Sequence, residues 1–311
     1  MLSVRHLIDT NDLTADDITQ ILDTARSFSA VNNRAIKKVP ALRGRTIVNL
    51  FLEPSTRTKS SFELAEKRLS ADSLSMGGAT SSVVKGESLA DTIETIDAMK
   101  VDMFICRARL AGTCQKIIEH TDAVVINAGD GKHQHPTQAM LDLYTIRENF
   151  GHLDGLKVAI VGDLAHSRVC GSLVPALKTM GAQVTLVGPP TFQVDDPTYY
   201  GVPQTADLDA VIPEVDVVYM LRVQLERMEG AAIPSRREYN RLWGLDMARV
   251  GKMRPDAIIC HPGPMNRGME INADVADCER ARILDQVNAG VLTRMAAMYL
   301  LLGGENDGVS A

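Results

Sequence analysis

Ile47-Val48-Asn49-Leu50-Phe51-Leu52 followed by Glu53-Pro54-Ser55-Thr56-Arg57-Thr58-Lys59 carries most of the information about this chain's architecture. The first six residues are an apolar run of strand length ending in a polar loop, and they predict a buried strand. Beyond the loop, Phe62, Ala65 and Leu69 recur at helical spacing, with Ser60 and Glu63 placed as a capping box. The expected order is therefore strand, loop, helix. A helix N-terminus presents unpaired N–H groups and a partial positive charge, which suits an anion. Ser55, Thr56 and Thr58 add hydroxyls, and Arg57 adds a planar fork that matches phosphate oxygens. The loop has neither the glycines nor the Gly-Lys-Ser/Thr ending of a nucleotide P-loop, so it predicts a small phosphate held by side chains.

Working outward, Ile18, Ile21, Leu22, Ala25 and Phe28 follow a Thr14-x-x-Asp17 start and predict an amphipathic helix over 14–30. Residues 70–87 are dominated by glycine and hydroxyl side chains around Lys85 and predict a mobile, exposed loop. A helix resumes at Ser88 through Leu89, Ile93, Ile96 and Met99. Short apolar strands follow at 102–106, ending at Arg107, and at 123–127, ending in Ala128-Gly129-Asp130-Gly131. Gln134-His135-Pro136-Thr137-Gln138 then opens a helix. In the second half, strands are expected at 156–163, 184–189, 215–219 and 257–260. They are followed in turn by Arg168, by a Gly188-Pro189 turn, by Arg222-Val223-Gln224 and by His261-Pro262-Gly263-Pro264. An apolar helix over 291–302 closes the pattern.

Strands alternating with helices in both halves imply an α/β fold of two parallel-sheet domains. Ligands of such sheets sit beyond the carboxyl ends of the strands. Arg57, Arg107, His135, Arg168, Arg222 and the His261 turn all lie there, and most are cationic. The whole chain of 311 residues carries a net charge of −6, which gives no global field for nucleic acid, so positive charge must be concentrated locally. Gly162-Asp163-Leu164-Ala165-His166 lacks the Gly-x-Gly-x-x-Gly turn, so no nucleotide cofactor is expected. His133 and His135 have no third ligand at helical spacing, so no metal is expected. Five scattered cysteines, no membrane-length apolar run and no signal-like N-terminus predict reduced thiols in a cytoplasmic enzyme.

From the first helix to the last, the chain resembles the aspartate/ornithine carbamoyltransferases. Ser55-Thr56-Arg57-Thr58 is similar to the carbamoyl phosphate signature of that family, and Gln134-His135-Pro136-Thr137-Gln138 to a second motif. Gly162-Asp163-Leu164 leading to Arg168, and Arg222-Val223-Gln224 with Glu226-Arg227, resemble the aspartate branch. Ornithine members carry a Ser-Met-Gly loop at the later position and a cysteine between histidine and proline of the last turn. Here Ser75-Met76-Gly77 falls in the wrong half, and the last turn has no cysteine.

The resemblance implies carbamoyl transfer from carbamoyl phosphate to the amine of L-aspartate, an early step of pyrimidine biosynthesis, without a cofactor. The alternative acceptor is ornithine or a related amine. It assigns Ser55, Thr56, Arg57 and Thr58 to the phosphate, and Arg107, His135 and Gln138 to the carbamoyl group. Gly263-Pro264 would present a carbonyl to the carbamoyl amine, and Arg168, Arg222 and Gln224 would hold the aspartate carboxylates. Lys85, with Ser81 or Ser82, would come from a neighbouring copy in a homotrimer to reach phosphate and aspartate. Regulatory chains or a dihydroorotase are possible further partners. The implied domains are 1–137 with 288–311 for carbamoyl phosphate and 138–287 for aspartate, with the active site between them.

Overall fold

The computed structural model describes residues 2–77, 87–196, 198–224, 233 and 235–303. The chain forms two compact units, Met1–Tyr144 with Asn288–Ala311, and Thr145–Val287.

The first unit opens with helix α1 (Ala15–Ser29), whose N-cap Thr14 forms a reciprocal capping box with Asp17. Its Ile18, Ile21, Leu22, Ala25 and Phe28 are all buried. Strand β1 (Thr46–Phe51), helix α2 (Thr56–Leu69), strand β2 (Asp72–Gly77), helix α3 (Leu89–Asp97), strand β3 (Met103–Ala108), helix α4 (Thr113–Ile118), strand β4 (Val124–Asp130) and helix α5 (Pro136–Phe150) follow. The four strands are parallel, in the order β2-β1-β3-β4. One face packs Val48, Leu50, Phe104, Cys106 and Val125 against Ile93, Ile96, Cys114 and Ile117. The outer edge of β4 is taken by the N-terminal segment: Leu7 N–H donates to Val125 O at 2.9 Å, and Leu7 O accepts from Asn127 N–H at 2.9 Å.

The second unit is built on β5 (Lys157–Val161), α6 (Arg168–Thr179), β6 (Gln183–Val187), β7 (Gln204–Thr205), α7 (Leu208–Val211), β8 (Val217–Met220), α8 (Arg236–Trp243), α9 (Met247–Val250), β9 (Ile258–Cys260) and α10 (Ala273–Ala276). Its sheet is parallel as well, in the order β7-β6-β5-β8-β9. Ala159, Val161, Val218, Met220 and Ile259 anchor its core. Helix α11 (Ile283–Leu301) carries the chain back into the first unit.

Several expectations change. Residues 72–77, expected as part of a mobile loop, form β2, which pairs residue by residue with β1. Its side chains are exposed in all but the last position, because it is an edge strand, so the apolar signal of a buried strand is missing. Helix α2 begins at Thr56, four residues before the expected capping box. Glu63 instead accepts from Ser75 Oγ at 2.8 Å. Arg168 lies in the first turn of a helix instead of in a loop, and the last helix starts at Ile283, ahead of the expected Val291. The units part inside α5, between Tyr144 and Thr145, where the sequence shows no break because helical periodicity continues through it. Lys85, Ser81 and Ser82 lie outside the described residues.

Candidate active site

In the first sheet β1 has β2 on one side and β3 on the other. The loops leaving β1 and β3 therefore diverge, and a crevice at this kind of switch point is where open α/β sheets bind ligands. Four residues separate β1 from α2, so the first turn of α2 sits directly at the strand's carboxyl end. Its N-cap, Ser55, has extended backbone (φ −160°, ψ 98°) yet makes no side-chain capping bond, and the first turn holds no acidic residue. The partial positive charge of this helix end is thus left uncompensated by its own side chains. Thr56 and Arg57 are exposed there, and Thr58 is buried.

Arg107 reaches the same place from β3. It pairs in register with Phe51, and its carbonyl accepts from Leu52 N–H at 2.8 Å. The β3–β4 register slips between Cys106 and Ala108, a local irregularity that re-aims the side chain between them. The guanidinium Nη1 donates to Thr58 Oγ1 at 3.3 Å and to Ala128 O at 3.2 Å, while Nη2 lies 3.6 Å from Glu53 Oε1. Thr58 and Arg107 are therefore brought together and fixed, with the planar fork held from three sides.

The loop after β4 places His135. Asp130, 1% exposed, accepts from Asn127 Nδ2 at 2.7 Å, Gln134 N–H at 3.1 Å and Gly112 N–H at 2.9 Å. Gly131 has φ 53°, and a Cβ there would stand 2.7 Å from the Ala111 nitrogen, so only glycine lets these two loops approach. His135 is buried and caps α5 with its carbonyl, which accepts from Gln138 N–H at 2.9 Å. Gln138 Nε2 donates to Asp142 Oδ1 at 3.0 Å, which turns the amide oxygen away from Asp142.

The second unit repeats the logic at the switch between β5 and β8. Gly162 follows β5 with φ 131°, and a Cβ would meet Leu221 at 3.1 Å, so the two strand ends can converge only around glycine. Asp163 is fully buried and accepts from His166 Nδ1 at 2.7 Å, which sets that ring's tautomer. Burial pushes the Asp163 carboxyl up, and the hydrogen bond and charge of His166 oppose it. Arg168 is buried in the first turn of α6, whose N-cap Ser167 accepts from Cys170 N–H. Arg222 and Gln224, both half-buried, follow β8.

The His261 turn follows β9. His261 Nδ1 accepts from Gly263 N–H at 2.8 Å, so Nε2 carries the proton and donates to Glu270 at 3.2 Å. Glu270, itself fully buried, also accepts from Asn266 N–H at 2.5 Å and from Asn266 Nδ2 at 3.1 Å. Asn266 Nδ2 in turn donates to Val223 O at 3.0 Å, tying the turn to the loop that carries Arg222 and Gln224. The Gly263–Pro264 bond is cis. Glu53, Asp130 and Glu270 support the site without having been singled out by sequence. Glu270 stands nine positions from its partner His261, a spacing that no helical or strand period marks.

Two family models match the chain. The aspartate/ornithine carbamoyltransferase carbamoyl-P binding domain covers residues 5–148, and the Asp/Orn binding domain covers 154–301. The aspartate carbamoyltransferase catalytic subunit of Thermobifida fusca is 54% identical over 97% of this chain and 96% of its own length. Among solved structures, aspartate transcarbamoylase from Trypanosoma cruzi in complex with N-(phosphonacetyl)-L-aspartic acid superposes with a TM-score of 0.87 at 30% identity, covering 94% of each chain. Ornithine carbamoyltransferase from Pyrococcus furiosus gives 0.86 at 28% identity, covering 97% of this chain and 98% of its own. The backbone alone therefore does not separate the two branches, whereas sequence identity favours the first. With both of its units matched and relatives aligned almost end to end, this chain belongs to the aspartate/ornithine carbamoyltransferase family.

Proposed function

We propose that the protein transfers the carbamoyl group of carbamoyl phosphate to the amine of L-aspartate, giving N-carbamoyl-L-aspartate and phosphate in the cytoplasm as an early step of pyrimidine biosynthesis. The observation that carries this reading is that each unit sets two arginines at the carboxyl ends of its switch-point strands, Arg57 and Arg107 in the first and Arg168 and Arg222 in the second, in a chain whose net charge is negative. Two anionic substrates account for that arrangement. In the first unit, the open N-terminus of α2 with Ser55, Thr56 and Arg57 holds phosphate. Thr58, Arg107 and His135 donate to the carbamoyl oxygen as it gains charge, and Gln138 accepts from the carbamoyl amine together with a carbonyl of the Gly263-Pro264 turn. In the second unit, Arg168, Arg222 and Gln224 clamp the two carboxylates of aspartate. Ornithine, whose side chain ends in a cation, would meet arginines of like charge. No group here needs to form a covalent intermediate: holding the amine against the carbonyl and stabilising the oxyanion suffices.

The assembly proposed is a homotrimer in which Lys85, with Ser81 or Ser82, completes the neighbouring copy's phosphate site. The test is product formation from carbamoyl phosphate with L-aspartate and, in parallel, with L-ornithine. Carbamoylaspartate and phosphate in equal amounts, with ornithine inert, is the expected result, and citrulline would overturn the assignment of Arg168 and Arg222. Mixing inactive Lys85→Ala and Arg57→Ala proteins should restore part of the activity by forming intact shared sites; no recovery would refute the sharing.

A further inference from the structure

His133 lies outside the machinery proposed above, yet it sits between two carboxylates. Its Nε2 is 3.1 Å from Asp9 Oδ2 and its Nδ1 is 3.2 Å from Asp130 Oδ2. Both ring nitrogens therefore face a carboxylate oxygen at close range. The two carboxylates come from different parts of the first unit. Asp130 ends β4 and is buried, whereas Asp9 belongs to the N-terminal segment that runs along the edge of β4 from Leu7. Asp12 adds a third negative charge from that segment, close enough to Asp9 and His133 for both to act on its carboxyl. One residue further along each segment a second contact repeats the link: Gln134 Oε1 accepts from Thr10 Oγ1 at 3.3 Å. The turn leading into His135 is thus fastened on one side to β4 and on the other to the start of the chain.

We propose that His133, clamped between Asp9 and Asp130, is the positioning residue of the His135 turn. On this view the N-terminal segment is part of the apparatus that aims His135, beyond its part in covering a sheet edge. The inference rests on the role given to His135 above. It predicts that loosening the clamp damages turnover through His135 and leaves aspartate binding alone, because Arg168 and Arg222 belong to the other unit.

The experiment is a double-mutant cycle on the full-length protein with His133→Ala and His135→Ala, measuring kcat and the KM for aspartate. His133→Ala should lower kcat by roughly 10- to 100-fold, the size expected for a misplacement of about an ångström, with the KM for aspartate unchanged. In the His135→Ala background the same change should have almost no further effect. Equal losses in both backgrounds would overturn the proposal. His133→Asn, which keeps one donor, should recover part of the rate, and Asp9→Asn should mimic a partial loss without disturbing the buried Asp130. The ring signals of His135 in a 1H–15N spectrum give a readout free of turnover: they should shift or broaden in His133→Ala, and unchanged signals would overturn the proposal. Failure of the wild-type protein to form carbamoylaspartate would overturn the functional reading instead, and the ring signals would still decide the role of His133.

Discussion

Arg107 shows at the scale of one residue why a charge alone is not enough. Its fork touches Thr58 and the Ala128 carbonyl through one nitrogen and faces Glu53 through another. Lysine keeps the charge but cannot reproduce those directions. Arg107→Lys should therefore lower kcat by about 10²- to 10³-fold, the loss typical of an oxyanion donor, while the fold is kept. Steady-state kinetics beside a thermal melt would check this, and near-normal kcat would refute it. A second residue-scale case is Glu66, fully buried in α2, where Asn49 Nδ2 donates to both its oxygens at 2.8 and 3.0 Å. Burial raises its carboxyl above the ordinary value, more than the hydrogen bonds from Ser73 and Asn49 lower it. The folded chain then binds this proton more tightly than the unfolded chain does, so stability falls as pH rises through the ordinary carboxylate range toward the raised value. Glu66→Gln should be no more stable than wild type below that window and should gain on it above; denaturant melts across pH that run parallel would contradict this. The cationic residues were legible in the sequence because each follows an apolar run. Their acidic supports were not, since Glu53, Asp130 and Glu270 acquire meaning only from partners that folding brings near.

At the scale of the element, α2 is the instructive case. Its apolar positions Phe62, Ala65 and Leu69 are readable in the sequence and are buried, but Ser60 and Glu63 point to a start four residues beyond the observed Thr56. A capping signature is one local possibility, and here the short connection from β1 and the partner Ser75 on β2 decide otherwise. The true N-cap, Ser55, leaves the helix end unsatisfied by its own hydroxyl, which costs stability that a ligand can restore. Ser55→Asp should cap the helix and compensate its dipole, adding about 0.5–1 kcal/mol to stability, yet repel phosphate and raise the KM for carbamoyl phosphate at least about tenfold. The two effects have opposite signs, so a variant that is both more stable and equally active would sink the idea that this end is kept open for an anion. β2 was lost to the sequence for a complementary reason. An edge strand with five exposed positions has no alternation to detect, and only the register with β1 defines it.

For the whole molecule, the alternation of strands and helices was sufficient to read two parallel α/β units, and the switch points then followed from strand order, which the sequence does not contain. An acidic chain, with no helix among the described residues long and apolar enough to cross a membrane, sets Arg57 and Arg107 at one of those points and Arg168 and Arg222 at the other. Capture of both substrates should accordingly weaken with salt. Raising ionic strength from about 0.01 to about 1 M shortens the screening length from about 30 to about 3 Å, and the KM for both substrates should rise while kcat changes far less. A salt-independent KM for aspartate would argue against the paired arginines.

The sheet edges are guarded unequally. The chain's own start covers β4, β7 is only two residues long, and Ile259 of β9 is bridged to Ala281. The edge of β2 has no such cover among the described residues, and it displays Leu74 and Met76, 46% and 36% exposed. A strand edge left open in this way is a template for further strands. When concentrated stocks of this protein turn cloudy on storage, β2 is where the first stray chain should attach, and Leu74→Lys should keep the solution clear for longer.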